Sequence, residues 1–391
     1  MKIAVIGSGT VGVMSVCHFL YYTRGTQVHC IHDPNKKILG IGESTNIQIP
    51  DLFYKSVDFN PFFENKELDL TMKYGVVYKN WRKKDFLSPI MPPNFAFHFN
   101  NFKLKDVMFK KVKKLYKSRF KEILAAATIK ENSKDKVVLN FNGSNKTYDY
   151  VIDCSGYPES YTDYIESPSL PLNHALVNVI DKPGNWNFTY HQATKNGWMF
   201  GIPLHTRQGW GYLFNDKITS KKEAIKDMTT IFKTDKLNLK EFKFKPYRAK
   251  KFLHNRVLKN GNKAIFYEPL EALSGVFYDN INRALIDHIS NVKSEDEVNR
   301  HLGKMAERYE NFICFVYHGG SIYKSKFWSD VCKKTKKHLK HSQTWKETVD
   351  FINNAKHEFH NGEDFENFPF CVKLYKLINY NLQYKILERR K

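Results

Sequence analysis

The residues whose types and spacing carry chemistry most plainly form a G-x-G-x-x-G run, Gly7-Ser8-Gly9-Thr10-Val11-Gly12. The first glycine of such a run permits a tight turn, the second lets backbone approach a pyrophosphate, and the third lets a helix pack closely on a sheet. Amides at the N-terminus of the helix that follows then hold the phosphates. An acid about 20 residues further on binds a ribose in this arrangement, and Asp33 stands 21 positions after Gly12. The elements needed to position these residues are legible around them. An apolar strand at residues 2 to 6, a helix from Val11 to Tyr22 and a second strand from Gln27 to Ile31 make a βαβ opening. Much later, Val151-Ile152-Asp153-Cys154-Ser155-Gly156 reads as a buried strand ending in small residues.

Composition bounds the rest. With 391 residues, 42% hydrophobic and 15% aromatic, the chain has the material for a large core, and global disorder is excluded. The run Met1-Lys2-Ile3-Ala4-Val5-Ile6 breaks at Gly7, so it reads as a strand and not as a signal sequence. No uncharged apolar stretch approaches the roughly 18 residues of a membrane span. A cytoplasmic protein without a membrane partner is expected. Cys17, Cys30, Cys154, Cys314, Cys332 and Cys371 are scattered without a C-x-x-C pair, so neither a disulfide framework nor a metal site is expected. The net charge of +22 would suit nucleic acid or an anionic surface. Lysine, however, far outnumbers arginine and is spread along the chain. The clusters Lys110-Lys111-Val112-Lys113-Lys114 and Lys333-Lys334-Thr335-Lys336-Lys337-His338 read as solvated helix faces. Nucleic acid is therefore not the expected partner, although a basic surface favours anionic ligands by steering.

Behind the fingerprint come, in fixed order, Leu39-Gly40-Ile41-Gly42-Glu43-Ser44-Thr45, Thr71-Met72-Lys73-Tyr74-Gly75-Val76-Val77-Tyr78-Lys79-Asn80-Trp81, Trp198-Met199-Phe200-Gly201-Ile202-Pro203 and Glu268-Pro269-Leu270-Glu271-Ala272-Leu273-Ser274-Gly275. That ordered set resembles the flavin-dependent tryptophan halogenase family. The first segment is similar to the family's G-x-G-E-[AS]-T, with two additional residues before Pro50. The second matches F-K-x-x-[IV]-x-F-x-x-W, with Met72 and Tyr78 replacing the phenylalanines. The third resembles W-x-W-x-I-P with Phe200 for the second tryptophan, and the fourth resembles E-P-L-E-S-T-G with one extra residue. Val151 to Gly156 is similar to F-I-D-C-S-G. Phe97-His98-Phe99-Asn100 resembles a helix-opening H-F-D, and Tyr317-His318 and Phe327-Trp328 resemble landmarks of the helical part. The match runs patchily from Lys2 to about Trp328.

The resemblance implies FAD as cofactor, used as FADH2 from a separate flavin reductase, with chloride, bromide or iodide as co-substrate. It places Gly7, Gly9, Thr10, Gly12, Asp33, Gly42, Glu43, Ser44, Thr45, Asp153 and Gly156 beside the flavin, with His32 occupying the family's acidic position by ungapped comparison. In the family, halide attacks a flavin hydroperoxide to give hypohalous acid, which meets the lysine that Lys73 matches. An ammonium donates up to three hydrogen bonds, and a buried amine with a lowered pKa exposes a nucleophilic lone pair. Most lysines are merely solvated; the flanking pattern alone singles out Lys73. Glu271 matches the acid that polarises the oxidant or takes the arenium proton, and an acid beside an ammonium stays ionised, as a base must. Ser274 and Gly275 stand at the halide loop. Trp198, Phe200, Ile202 and Pro203 line the implied passage from flavin to substrate, where scarce water protects the oxidant.

The departure concerns substrate. Only Arg82 to Phe97 separate Trp81 from His98, where tryptophan halogenases carry a much longer insertion that helps grip tryptophan. A rebuilt, wider mouth is expected, taking a larger, carrier-bound or non-indole arene. The expected fold is α/β. A Rossmann-like, doubly wound FAD-binding module spans 1–160 and 258–295, an interleaved antiparallel substrate-facing sheet 161–257, and a helical C-terminal part 296–391, with a turn at Asn361-Gly362. A homo-oligomer is compatible with these features. A flavin monooxygenase or reductase on the same scaffold is the alternative enzyme. A basic nucleic-acid-binding protein is the non-enzymatic alternative.

Overall fold

The computed structural model describes residues 1–38, 40, 43–90 and 93–354. The chain begins with β1 (Lys2–Ile6), α1 (Thr10–Tyr22), β2 (Gln27–His32) and α2 (Gln48–Val57). Four short strands follow, β3 (Thr71–Lys73), β4 (Gly75–Lys79), β5 (Phe86–Pro89) and β6 (Ala96–His98), and then α3 (Asn101–Tyr116). Next come β7 (Phe120–Leu124), a meander of β8 (Thr128–Asn132), β9 (Val137–Phe141) and β10 (Ser144–Tyr148), then β11 (Tyr150–Asp153) and β12 (Tyr164–Glu166). The middle of the chain supplies β13 (His174–Ile180), β14 (Thr189–Ala193), β15 (Trp198–Pro203), β16 (Gln208–Phe214), α4 (Lys221–Phe232) and β17 (Leu239–Lys243). After β18 (Tyr247–Ala249), β19 (Leu253–His254), β20 (Val257–Lys259) and β21 (Ile265–Phe266) come the helices α5 (Ser274–Ile289), α6 (Glu295–His318), α7 (Lys326–His341) and α8 (Gln343–Asn354).

Six strands form the first sheet in the order β19-β20-β11-β1-β2-β7, and β20, β11, β1, β2 and β7 run parallel. Side chains alternate along a strand, so β1 serves two cores at once. Ile3 and Val5 join the main core with Val13, Val16 and Phe19 of α1, while Ala4 and Ile6 join a second cluster with Val137, Leu139 and Phe141 of the meander. The parallel sheet therefore carries helices on one face and an antiparallel meander on the other. The meander is also the crossover that a parallel return from β7 to β11 requires.

The second sheet has seven strands, β17-β13-β16-β15-β14-β4-β5, antiparallel except where β4 pairs with β14. β4 and β5 reach this sheet from the first hundred residues, while Lys73, just before β4, lies on β3, which pairs with β6 in a two-stranded sheet. Every residue of β15 is buried: Trp198, Phe200 and Ile202 face the main core, and Met199 faces α4. The C-terminal helices start where local chemistry says they should. Ser294 and Glu297 form a reciprocal cap on α6, and the Asn100 side chain accepts from Phe102 N to cap α3. Asn caps as well as Asp does, so the exchange at that position costs the helix nothing. Both lysine clusters lie on helices, α3 and α7, with only Val112 and Thr335 among them buried. The Asn361-Gly362 turn lies outside the described residues.

Candidate active site

The glycine run folds as its spacing implies. Gly7 adopts φ +103, and a Cβ there would meet the Cys154 carbonyl at 2.5 Å. At Gly12 a Cβ would lie 2.0 Å from the Gly7 carbonyl, so only glycine lets α1 approach this turn. A Cβ at Gly9 would meet nothing within 4 Å: that side is open for a ligand. No acidic residue sits in the first turn of α1 and no side chain caps it, which leaves its amides for an anion. This cradle fits a dinucleotide pyrophosphate. Thr10 donates its hydroxyl to Asn101 Oδ1 at the start of α3.

Asp33 follows the carboxyl end of β2, where its Oδ1 accepts from Asn35 N at 2.9 Å. His32 instead turns to Glu122 on β7, Nε2 to Oε1 2.9 Å, so Asp33 is the acid at the strand end. Asp153 ends β11 and accepts from Ser155 N at 3.0 Å, and Gly156 takes φ +102 just beyond it. Gly42 lies outside the described residues. Glu43 is buried, and its carboxylate accepts from Asn101 N at 3.0 Å and pairs with Arg207. Burial raises its pKa, and the Arg207 charge opposes that rise.

Lys73 is 2% exposed. Its ammonium donates to Ser44 Oγ at 2.9 Å and to the Thr45 carbonyl at 3.0 Å. Ser44 and Thr45 thus hold the lysine. The segment is itself pinned to β6, because Thr45 N and Oγ1 both donate to the Phe97 carbonyl, each at 2.9 Å.

Glu271 is 1% exposed and sits in left-handed backbone, φ 61, with Ala272 at φ 56. Two consecutive non-glycine residues there store strain of order 1–3 kcal/mol each, and they fall where the chain carries its extra residue. Tyr78 on β4 donates its hydroxyl to Glu271 Oε1 at 2.6 Å. Burial first, and then the Glu271 charge and hydrogen bond, hold the Tyr78 phenol well above its ordinary pKa. The two sequence-predicted catalytic residues meet one short stretch of chain: Glu271 touches Tyr78, five residues after Lys73. Ser274 opens α5 and shares a 3.2 Å hydrogen bond with Tyr309. A Cβ on Gly275 would come within 2.9 Å of Asn46 Nδ2, a buried donor with no hydrogen-bond partner. Asn46 Oδ1 accepts from Gln48 N at 3.0 Å, which fixes the amide's orientation.

Trp198 donates Nε1–H to Tyr317 Oη at 2.6 Å and packs with Trp81 at 6.1 Å, ring to ring. His191, on β14, lies between Tyr78 and Trp198, at 5.2 and 4.8 Å. Phe200 packs over Gly211, where a Cβ would meet its ring at 2.2 Å. Pro203 supplies a carbonyl to the Thr71 hydroxyl at 2.7 Å. Beneath this aromatic layer Glu268 is fully buried, and burial pushes its carboxyl up to about 8, with the Tyr317 hydroxyl partly offsetting the rise.

Sequence reasoning missed Asn46, Thr189, Arg207 and the chemistry of Glu268. Asn46 adjoins a recognised segment and was within reach of the pattern. Thr189, on β14, and Arg207, in the turn before β16, stand far along the chain, where only the fold brings them to Ser44 and Glu43.

Cleft, buried lysine and strained acidic loop define a dinucleotide-dependent enzyme. The family model for tryptophan halogenase matches residues 2–89 and 82–373, and the chain belongs to the flavin-dependent tryptophan halogenase family; it is an oxidoreductase. A relative from Kutzneria sp. (strain 744), tryptophan 7-halogenase KtzQ, is 21% identical over 85% of this chain and 78% of its own length. Tryptophan 7-halogenase RebH of Lentzea aerocolonigenes is 20% identical over 71% of this chain and 67% of its own. Among solved structures, the flavin-dependent halogenase BrvH from Brevundimonas sp. BAL3 superposes with a TM-score of 0.76 at 16% identity, covering 99% of this chain and 96% of that one. Tar14, a tryptophan C-6 halogenase from taromycin biosynthesis, gives 0.79 at 16% identity, over 99% of this chain and 89% of that one. Among the described residues no helix is long and apolar enough to cross a membrane.

Proposed function

We propose that the chain halogenates an electron-rich arene, with FADH2 from a separate reductase, oxygen and a halide. The observation that carries this reading is the buried Lys73 ammonium, held by Ser44 and Thr45 of the segment whose sequence resembles the family's G-x-G-E-[AS]-T. Reduced flavin and oxygen supply the oxidising equivalents that turn halide into hypohalous acid. Gly7, Gly9, Thr10 and Gly12 hold the pyrophosphate, Asp33 the ribose, and Asp153 and Gly156 border the cofactor where the parallel sheet ends. The halide is held at the Ser274-Gly275 turn, where the unpartnered Asn46 Nδ2 stands against Gly275 and donates to the anion. Lys73 takes the halogen: its amine and HOX give a haloamine and water. Glu271, oriented by Tyr78, accepts the proton that the arene loses. Trp198, Phe200, Ile202 and Pro203 keep the path apolar.

The substrate is a larger, carrier-bound or non-indole arene in place of free tryptophan, because the short 82–97 segment leaves the mouth with little cover. The test is a mass-spectrometric assay of purified protein with FAD, a flavin reductase and bromide against a panel of phenols and indoles. Bromine-substituted products are expected. Oxygenated products without bromine would favour a monooxygenase, and flavin turnover without any product a reductase.

A further inference from the structure

Beside Lys73 lies a run of hydroxyls, half-buried at Ser44 and buried at Thr189 and Thr71, that meets an imidazole, and the direction of every hydrogen bond in it is fixed from its two ends. Lys73 Nζ only donates, so Ser44 Oγ accepts from it at 2.9 Å. The Pro203 carbonyl only accepts, so Thr71 Oγ1, 2.7 Å away, places its one hydrogen there. Thr71 Oγ1 must then accept from His98 Nδ1 at 3.1 Å, which puts the ring hydrogen on Nδ1 and a lone pair on Nε2. Thr189 Oγ1, 2.9 Å from that Nε2, donates to it. Its lone pairs face Ser44 Oγ at 3.3 Å, which donates in turn. Each bond points from the ammonium to the imidazole.

We propose that Ser44, Thr189 and His98 form a proton relay that strips the Lys73 ammonium, so that the lysine meets the oxidant as a free amine. The inference rests on the haloamine role given to Lys73 above. A proton passes from Nζ to Ser44, one from Ser44 to Thr189, and one from Thr189 to His98 Nε2. The products are a neutral amine and an imidazolium. One positive charge moves and none is created, which suits a water-poor site. The amine and HOX give N-halolysine and water. When the arene takes the halogen and loses its proton to Glu271, the relay returns the His98 proton to the Lys73 nitrogen to give the neutral amine, and the proton released by Glu271 to solvent restores the ammonium.

Burial, and secondly the Lys73 charge, hold the imidazolium well below its usual range, so the ring rests neutral with its Nε2 lone pair toward Thr189, and the transfer is an uphill step drawn forward as HOX consumes the amine. The charged neighbours on packed elements are engaged elsewhere. Glu43, next to Ser44, pairs with Arg207, and Asp69, ahead of β3, accepts from Thr206 N and Oγ1 at 2.9 and 2.6 Å. His191, two residues along β14 from Thr189, packs on Tyr78 and Trp198. Ser44, Thr189 and His98 are positioning residues, acting through Lys73.

Thr189→Val breaks the relay with little change of shape, Thr189→Ser restores the hydroxyl, and His98→Gln keeps an acceptor that cannot hold a proton. Two readouts separate the relay from the function it serves. In the first, flavin-free protein is mixed with substoichiometric hypochlorous acid across the neutral range, and N-chlorination of the Lys73 peptide is compared with surface-lysine peptides by mass spectrometry. Wild type and Thr189→Ser are expected to chlorinate Lys73 at a rate nearly independent of pH. Thr189→Val and His98→Gln should be slower on the order of a hundredfold at neutral pH and climb as pH rises. In the second readout, kcat for bromination follows the same pattern, with KM for bromide unchanged. Parallel pH profiles in all four proteins, or a Lys73 that does not chlorinate in wild type, would overturn the relay. A wild type that chlorinates Lys73 but brominates no arene would overturn the proposed function while leaving the relay standing.

Discussion

Tyr78 is the residue at which a departure from the family pattern acquires a physical role. A phenylalanine there would pack against Phe86 and Trp81 as the tyrosine ring does, but only the phenol reaches Glu271. Tyr78→Phe should preserve the fold and lower kcat about tenfold, since a hydrogen bond to a charged group contributes roughly 1.5–3 kcal/mol. The lost donor had favoured the ionised carboxylate, so the acid side of the pH–rate profile should move to higher pH in the variant. Glu268 makes a stability prediction. Burial raises its carboxyl from 4.5 to about 8. Between those values the folded protein keeps a proton that the unfolded chain has released, so stability falls as pH rises through that window. Glu268→Gln removes the dependence, and its melting temperature relative to wild type should be highest near about pH 8 and fall back toward about pH 5. Lys73 and Glu271 were legible because motif and flanking residues travel together in sequence. Glu268 stood in the same motif, yet its burial could not be read, because the Trp198–Tyr317 layer above it comes from two distant elements.

At the scale of elements, the strand–turn–helix opening was almost wholly legible. Local periodicity sets β1, α1 and β2, and steric demands at Gly7 and Gly12 leave no other residue in place. The two glycines beside α1 should separate under substitution. Gly12→Ala, with its Cβ 2.0 Å from a backbone carbonyl, should destabilise the protein by several kcal/mol or prevent folding. Gly9→Ala should fold normally and bind FAD at least tenfold more weakly by titration, because the methyl enters the space open to the ligand. The start of α5 was less legible. An extra residue in its loop is visible in the sequence, but not that Glu271 and Ala272 absorb it in left-handed backbone. Asn46→Ala, which removes the buried amide donor against Gly275, should raise KM for bromide severalfold while leaving the FAD titration unchanged.

Across the whole molecule, the parallel sheet, the antiparallel layer and the helical end follow from the order of motifs. What the order does not contain is long-range pairing. β4, which begins two residues after Lys73, joins β14 in parallel in the second sheet, and no local pattern encodes that register. The meander over the back of the parallel sheet is equally silent, since its alternation specifies strands and not the face they cover. The charge of +22 acts at this scale too. The association rate of FAD should fall as salt is raised and the surface field is screened. All of the chemistry turns on Lys73 standing between cofactor cleft and substrate. The direct measurement is bromination by Lys73→Ala beside wild type, with reduced FAD supplied and FAD binding checked in the same samples. The variant is predicted to bind FAD as wild type does and to form no brominated arene; undiminished bromination by that variant would contradict the account.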